Sequence, residues 1–173
     1  MSTQETGNAG EGRRAGNVID ESVFRFLLDL ELQKAVRLQY CVSVILVSLD
    51  EGNGAGNGHA GEPGEAVLTR QIAESVAPHL RSTDVVAPLP GRALGVLLID
   101  AETGNLPAIL GRATDEWRAR PVAPAGRERP LKWSAGGGCF PLTATNATGL
   151  MRQATDLMTR ARAEGGDRLY LPT

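Results

Sequence analysis

The sequence lacks long apolar runs and any strong excess of charge. No apolar run approaches the roughly 18 residues that span a bilayer. The polar start MSTQETGNAGEGRR contains no apolar signal-peptide core. The formal net charge is -2, which gives no general attraction to nucleic acid or to anionic membranes. We therefore expect a cytoplasmic protein without nucleic acid or membrane partners.

Cysteine and histidine are scarce. The two cysteines, Cys41 and Cys139, lie far apart and match no zinc spacing. Neither His59 nor His79 has a partner at metal-ligand spacing. The sequence therefore predicts no metal site and no cofactor. Both cysteines stand in apolar surroundings, which favours two buried free thiols, and the sequence leaves a disulfide open.

Two segments contain little that a hydrophobic core could use. Residues 1–19 are mostly Gly, Asn, Ser and charged residues, which predicts a disordered tail and a single domain over residues 20–173. In the segment 51–64, six of fourteen residues are glycine. Because glycine loses much backbone freedom on folding, this segment is predicted to be a flexible loop.

Apolar residues recur at helical spacing in some segments and form short β-branched runs in others. The spacing predicts helices over residues 23–37, 66–80, 106–118 and 147–163. Strands are predicted over residues 42–49, 85–89, 94–99, 131–140 and 168–171, the second and third forming a hairpin. This order predicts an α+β fold of the ferredoxin-like or nucleotide-cyclase kind, with helices flanking a central sheet of about five strands.

Several weak motifs follow one another in a fixed order. Arg81-Ser82-Thr83-Asp84 is followed, after five residues, by Pro90-Gly91-Arg92-Ala93-Leu94. Upstream stands Gly64-Glu65-Ala66-Val67-Leu68, and residues 154–169 read ATDLMTRARAEGGDRL. In order and spacing these motifs resemble the GGDEF (diguanylate cyclase) family over about residues 20–172. The resemblance matches 81–84 to the family's Arg-x-x-Asp element and 90–94 to its signature.

The resemblance also implies that the chain is degenerate. In the family, two GTP molecules are joined to cyclic di-GMP while carboxylates hold magnesium. The places of these carboxylates fall on Ser48, Arg92 and Ala93, and Asp50 is the acid that survives beside them. We therefore expect no catalytic residues and no cyclase activity.

The nucleotide contacts of the family are altered as well. Its guanine-reading Asn-Asp pair falls on Gly56 and Asn57 in an alignment without gaps. Its lysine becomes Arg162, which could still meet a phosphate, and a following arginine becomes Gly166.

One ligand site of the family is retained in sequence. The resemblance implies that Arg81 and Asp84 bind cyclic di-GMP, as the family's inhibitory site does. A guanidinium can donate two hydrogen bonds to a phosphate or to the O6 and N7 atoms of guanine. A carboxylate can accept hydrogen bonds from the N1 and N2 groups of guanine. Two such contacts fall short of the about 8 kcal/mol of micromolar binding, so a second arginine would have to help. By composition alone the candidates are Arg70, Arg92 and Arg112.

The simpler alternative is that Arg81 and Asp84 form a local ion pair, which contributes little to stability when exposed. Three hypotheses for function therefore stand. The first is a cyclic di-GMP receptor that signals to a protein partner. The second is a scaffold without ligand that pairs with itself or with another regulator. The third is a residual enzyme that uses another metal geometry.

Overall fold

A computed structural model of the chain describes residues 17–51, 63–120 and 131–173. Within these ranges the helices are α1 (Glu21–Leu38), α2 (Pro63–Val76), α3 (Leu106–Ala119) and α4 (Ala147–Ala163). The strands are β1 (Val42–Glu51), β2 (Val85–Leu89), β3 (Ala93–Ile99), β4 (Leu131–Phe140) and β5 (Arg168–Tyr170). Short 3-10 turns occupy Ala77–His79 and Thr103–Asn105. The predicted order of helices and strands is confirmed.

Strand β1 lies in the middle of a five-stranded sheet with the order β2-β3-β1-β4-β5. It pairs antiparallel with both β3 and β4, and β2 pairs antiparallel with β3 to form the predicted hairpin. Strand β5 is parallel to β4. The predicted α+β class and the sheet of about five strands are therefore confirmed.

Helices cover both faces of the sheet. Ile45, Val47 and Leu49 of β1 share one hydrophobic cluster with α2 and α3. Val44 and Leu46, which point the other way, share a second cluster with α1 and α4. Burial on both faces explains why β1 reads as a nearly continuous apolar run instead of an alternating one. Trp117 and Trp133 are buried in the first cluster.

The predicted tail and glycine-rich loop lie almost wholly outside the described residues. Residues 17–19, which the sequence assigned to the tail, belong to the domain in the structure. Val18 forms a parallel bridge with Val86, and the amide of Ile19 donates to the carbonyl of Val86 at 2.9 Å. None of the described helices has the length and apolar content to cross a membrane.

Both cysteines are free thiols, as favoured by the sequence. Cys139 is buried in β4, whereas Cys41 is half-buried just before β1. Burial first, and then the neighbouring Cys139, raise the pKa of the Cys41 thiol to about 11. Cys41 therefore stays protonated near neutral pH, where a thiol is a weak nucleophile.

Strand β4 and helix α4 approach each other closely at Gly136. A Cβ at this position would overlap the carbonyl oxygen of Ala154 and the amide nitrogen of Met158. Both are backbone atoms, which cannot move aside as the end of a flexible side chain can. In α3, by contrast, a Cβ at Gly111 would have nothing within 4 Å. Close packing, not chain flexibility, therefore requires glycine at 136.

We expect Gly136→Ala and Gly111→Ala to change stability in opposite directions. Gly136→Ala should lower the free energy of unfolding by about 1–3 kcal/mol through overpacking. Gly111→Ala should raise it by about 0.5–1 kcal/mol because alanine favours a helix interior. Urea denaturation followed by circular dichroism measures both. Equal effects of the two substitutions would contradict the close approach at Gly136.

Candidate functional site

The corner before β2 is held by the carboxylate of Asp84. Its Oδ2 accepts from the amide of Arg81 at 3.1 Å, and its Oδ1 accepts from the amide of Ile99 at 3.0 Å. The amide of Asp84 in turn donates to the carbonyl of Arg81 at 3.1 Å. Asp84 is only 3% exposed. This side chain therefore fixes the turn at Arg81 and ties it to the end of β3.

Arg81 itself lies at the surface of this corner. Its carbonyl accepts a hydrogen bond of 2.7 Å from the side-chain amide of Asn17. Among the described residues no ion pair joins Arg81 to Asp84, because the carboxylate accepts from backbone amides instead. The local contact between the two residues is thus made by the backbone amide of Arg81 and not by its side chain. The structure keeps the two residues together through the backbone of the turn, and Arg81 is an exposed residue there.

The three arginines considered as helpers lie in different places. Arg70 is on α2, where its Nε is 3.3 Å from Glu74 Oε1. Arg92 follows β2, whereas Arg81 precedes it. Because β2 has five residues and each rises about 3.3 Å, the two arginines are separated by the length of the strand, roughly 17 Å. Arg70 thus has a partner within its own helix, and Arg92 lies at the opposite end of β2 from Arg81.

Arg112 is the candidate whose helix is joined to the corner. His79, two residues before Arg81, has its Nε2 2.7 Å from Oε2 of Glu116 on α3. Arg112 lies one helical turn before Glu116 and is exposed. Helix α3 is thereby held against the turn that carries Arg81, so a ligand at this corner could extend toward Arg112.

The positions of the family's signature form the turn between β2 and β3. Leu89 and Ala93 are opposite each other, and Gly91 and Arg92 both have a left-handed backbone, with φ of 77° and 55°. The carbonyl of Arg92 accepts from the amide of Leu49 at 2.8 Å. Glycine adopts this conformation without strain, and arginine does so at some cost. Pro90 begins the turn at the surface, and Leu94, the last signature position, is fully buried in the core.

The places of the family's metal-binding acids meet at this turn. Ser48 on β1 stands opposite Ala93 on one side and opposite Ser134 of β4 on the other. Ser48 is 5% exposed and Ser134 is fully buried. The hydroxyl of Ser134 has no hydrogen-bond partner in the part of the chain that the structure describes. The sheet therefore brings together Ser48, Arg92 and Ala93, so that a hydroxyl, a guanidinium and a methyl group stand where the resemblance places carboxylates.

The acids that remain at this end of the sheet are paired with arginine. Nη2 of Arg162 on α4 lies 2.8 Å from Oδ1 of Asp50, just beyond Ser48. Nε of Arg92 lies 3.2 Å from Oε1 of Glu65 in the first turn of α2. The sequence identified Asp50, Arg92 and Arg162 as altered or surviving site positions, but it did not predict these partners.

Magnesium, the ion that the family implies, does not fit these residues. It needs oxygen ligands at near-octahedral geometry, and both carboxylates near the turn have a guanidinium as partner. A cation would have to displace an arginine to reach either acid. Over residues 17–51, 63–120 and 131–173, no group of three or more His, Cys, Asp or Glu side chains could hold a metal ion.

Other predicted positions complete the comparison with the family. Gly56 and Asn57 lie outside the described residues. Gly166 has φ of 77°, and a Cβ there would stand 2.9 Å from Cε of Lys132. The site elements that the sequence missed are Asn17 and the His79–Glu116 pair. The sequence did not indicate a role for Asn17 or His79, because their hydrogen-bond partners, Arg81 and Glu116, are remote in sequence.

Comparison with known proteins agrees with this geometry. The family model described as "Diguanylate cyclase, GGDEF domain" matches residues 17–168. No curated protein sequence matches the chain. The GGDEF domain of YfiN (TpbB) from Pseudomonas aeruginosa is 21% identical with a TM-score of 0.73, over 90% of this chain and 91% of that one.

Two further solved structures show the same fold. The coiled coil and GGDEF domain of DgcB from Caulobacter crescentus, in complex with cyclic di-GMP, is 13% identical with a TM-score of 0.69, over 90% of this chain and 82% of that one. The diguanylate cyclase SiaD from Pseudomonas aeruginosa, in complex with its activator SiaC, is 15% identical with a TM-score of 0.68, over 88% of this chain and 58% of that one. Because the family model spans most of the sequence, the protein belongs to the family of diguanylate cyclase GGDEF domains.

Proposed function

We propose that this GGDEF domain is non-catalytic and binds cyclic di-GMP at the corner formed by Arg81 and Asp84, passing occupancy to a protein partner. The observation that carries the proposal is the guanidinium of Arg81 at the surface of a turn that the buried Asp84 fixes. Because the backbone of the turn is already fixed, binding of an anion has to order only the side chain of Arg81. Cyclic di-GMP offers both phosphates and guanine edges to such a donor.

The structure changes the role proposed for Asp84. Both of its oxygens already accept an amide hydrogen, although each has a further lone pair. Because the side chain is almost fully buried, its main contribution is to position Arg81. The direct ligand contacts then fall to Arg81 and, from α3, to Arg112. Each charge-assisted contact contributes about 1.5–3 kcal/mol net, so stacking of the guanines is also required for micromolar affinity.

The absence of catalysis is supported by the charges at the signature turn. Arg92 and Ala93 replace carboxylates there, Ser48 replaces the first acid of β1, and Asp50 binds Arg162. A guanidinium beside the metal position repels a cation. It also forms an ion pair with the carboxylate that would otherwise bind the metal ion. Binding is supported by relatives, since the DgcB structure is a complex with cyclic di-GMP. A partner is supported by the SiaD structure, which contains an activator protein.

A second candidate function is a scaffold that binds no nucleotide. It is favoured by the same hydrogen bonds of Asp84, because they give the carboxylate a complete structural role without a ligand. On this hypothesis Arg81 is an exposed residue that contacts no ligand. The two candidates differ in whether Arg81 contributes to nucleotide affinity.

Titration calorimetry with cyclic di-GMP separates the two candidates. We expect a dissociation constant in the micromolar range or tighter, and a loss of roughly 10- to 100-fold in affinity for Arg81→Ala. Arg160→Ala is the matched control, because Arg160 stacks on Tyr170 at the opposite edge of the sheet. No heat at high protein concentration, or equal losses in both variants, would favour the scaffold.

Incubation of the protein with GTP and either Mg²⁺ or Mn²⁺ tests the catalytic part of the proposal. We expect no cyclic di-GMP by liquid chromatography, because the carboxylates that would hold the metal are replaced or paired with arginine. An active diguanylate cyclase under the same conditions is the control. Product that grows with protein concentration would establish a residual enzyme and refute this part.

Asp84 variants test whether its carboxylate is structural. Asp84→Ala leaves two buried amides unpaired and should cost roughly 2–5 kcal/mol of stability. Asp84→Asn keeps one acceptor and should cost less. Asp115→Ala, on the exposed pair with Arg118, should change stability by less than about 1 kcal/mol. Chemical denaturation measures all three, and an Asp84→Ala variant as stable as Asp115→Ala would contradict the role of Asp84 in the turn.

A further inference from the structure

A hydrogen bond between remote parts of the chain lies next to the corner at Arg81. Nε2 of His79, in the 3-10 turn after α2, is 2.7 Å from Oε2 of Glu116 on α3. The two side chains are partly buried, with exposed fractions of 25% and 31%. Water therefore competes with this contact less than with a pair of fully exposed side chains. The contact joins the segment that leads into Arg81 to the helix that carries Arg112.

A second contact holds α3 in the same orientation. Nε1 of Trp117, the residue after Glu116, donates to Oγ of Ser75 on α2 at 2.8 Å. Trp117 is buried in the core, so α3 cannot rotate about its axis here without disturbing close-packed side chains. The side of α3 that carries Glu116 is therefore fixed toward the turn before β2.

Two exposed arginines flank the pair of His79 and Glu116. Arg81 follows His79 by two residues. Arg112 precedes Glu116 by one helical turn, which places it on the same side of α3. In the part of the chain that the structure describes, neither arginine forms an ion pair with an acid. Both guanidinium groups are thus available to an anion from outside the chain.

We propose that His79 and Glu116 are positioning residues for cyclic di-GMP, which hold Arg112 beside Arg81 so that both guanidinium groups bind one ligand. The role of the pair rests on the proposed binding of cyclic di-GMP at the Arg81 corner. His79 and Glu116 contact no ligand atom in this arrangement. They determine the affinity through Arg112.

The tie between the turn and α3 raises the affinity because it is made before the ligand binds. A ligand that bridges two segments has to order one of them relative to the other, and this ordering opposes binding. With α3 fixed to the turn through Glu116, only the side chains of Arg81 and Arg112 remain to be ordered. The two phosphates of cyclic di-GMP match two such guanidinium donors.

The pair also keeps Arg112 available for an anion. Glu116 stands four residues after Arg112, which is the spacing of an ion pair within a helix. Its carboxylate contacts His79 instead. Without His79, that carboxylate would be free to bind the guanidinium of Arg112 and to repel the phosphates of the ligand.

A double-mutant cycle measured by titration calorimetry of the full chain with cyclic di-GMP tests the role of the pair. We expect His79→Ala to weaken binding roughly 3- to 10-fold and Arg112→Ala to weaken it roughly 10-fold. The double variant should bind no more weakly than Arg112→Ala, because without Arg112 the pair has nothing to position. Arg118→Ala is the matched control and should leave the affinity unchanged, since Arg118 is an exposed arginine on α3 that pairs with Asp115.

Glu116→Gln keeps an acceptor for the hydrogen bond from His79 and should bind within about twofold of the wild-type affinity. Circular dichroism verifies the fold of every variant. His79→Phe, which keeps a ring and removes the hydrogen bond, takes the place of His79→Ala if the latter does not fold.

The possible failures are distinguishable. A wild-type chain that binds cyclic di-GMP and loses affinity in Arg81→Ala, but not in His79→Ala, would overturn the role of the pair and leave the proposed function standing. Losses from His79→Ala and Arg112→Ala that add in the double variant would show a merely structural effect and would also overturn it. No binding by the wild-type chain would overturn both the proposed function and the role of the pair.

Discussion

The burial of β1 on both faces is the constraint on which the rest of the structure depends. A strand covered by α1 and α4 on one side and by α2 and α3 on the other must be central, with β3 and β4 as neighbours. That position brings the end of β1 against the hairpin turn and puts Ser48 between Ala93 and Ser134. The sheet therefore brings Ser48, Arg92 and Ala93 together at one end of β1.

The carboxylates at this end of the sheet are balanced by arginine side chains. A carboxylate that is mostly buried needs a positive partner, since an unpaired charge is costly to bury even in part. Asp50 obtains one from Arg162, and Glu65 obtains one from Arg92. These two ion pairs join β1 to α4 and join α2 to the turn between β2 and β3.

The corner at Arg81 is connected to α1 by a short chain of hydrogen bonds. Asn17 donates to the carbonyl of Arg81, and the next two residues run along β2 before α1 begins. The turn, the edge strand and the start of α1 therefore form one continuous piece of structure.

The sequence by itself determined the types and order of the helices and strands, because the spacing of apolar residues reports local geometry directly. It also determined that Ser48, Arg92 and Ala93 cannot bind a metal as carboxylates do, since this follows from residue identity. Only the tertiary structure decided the partners: Asp84 binds two backbone amides instead of Arg81, and the Arg92 and Arg162 side chains find acids on other elements. Helix capping also depended on the tertiary structure. Asp20 stands at the start of α1 without a side-chain capping hydrogen bond, whereas the side chain of Asn146 caps α4. The physical reason is that these hydrogen bonds and ion pairs join residues that are distant in sequence, or depend on how a helix packs against the sheet. The order of the strands and the packing of the helices decide which residues meet.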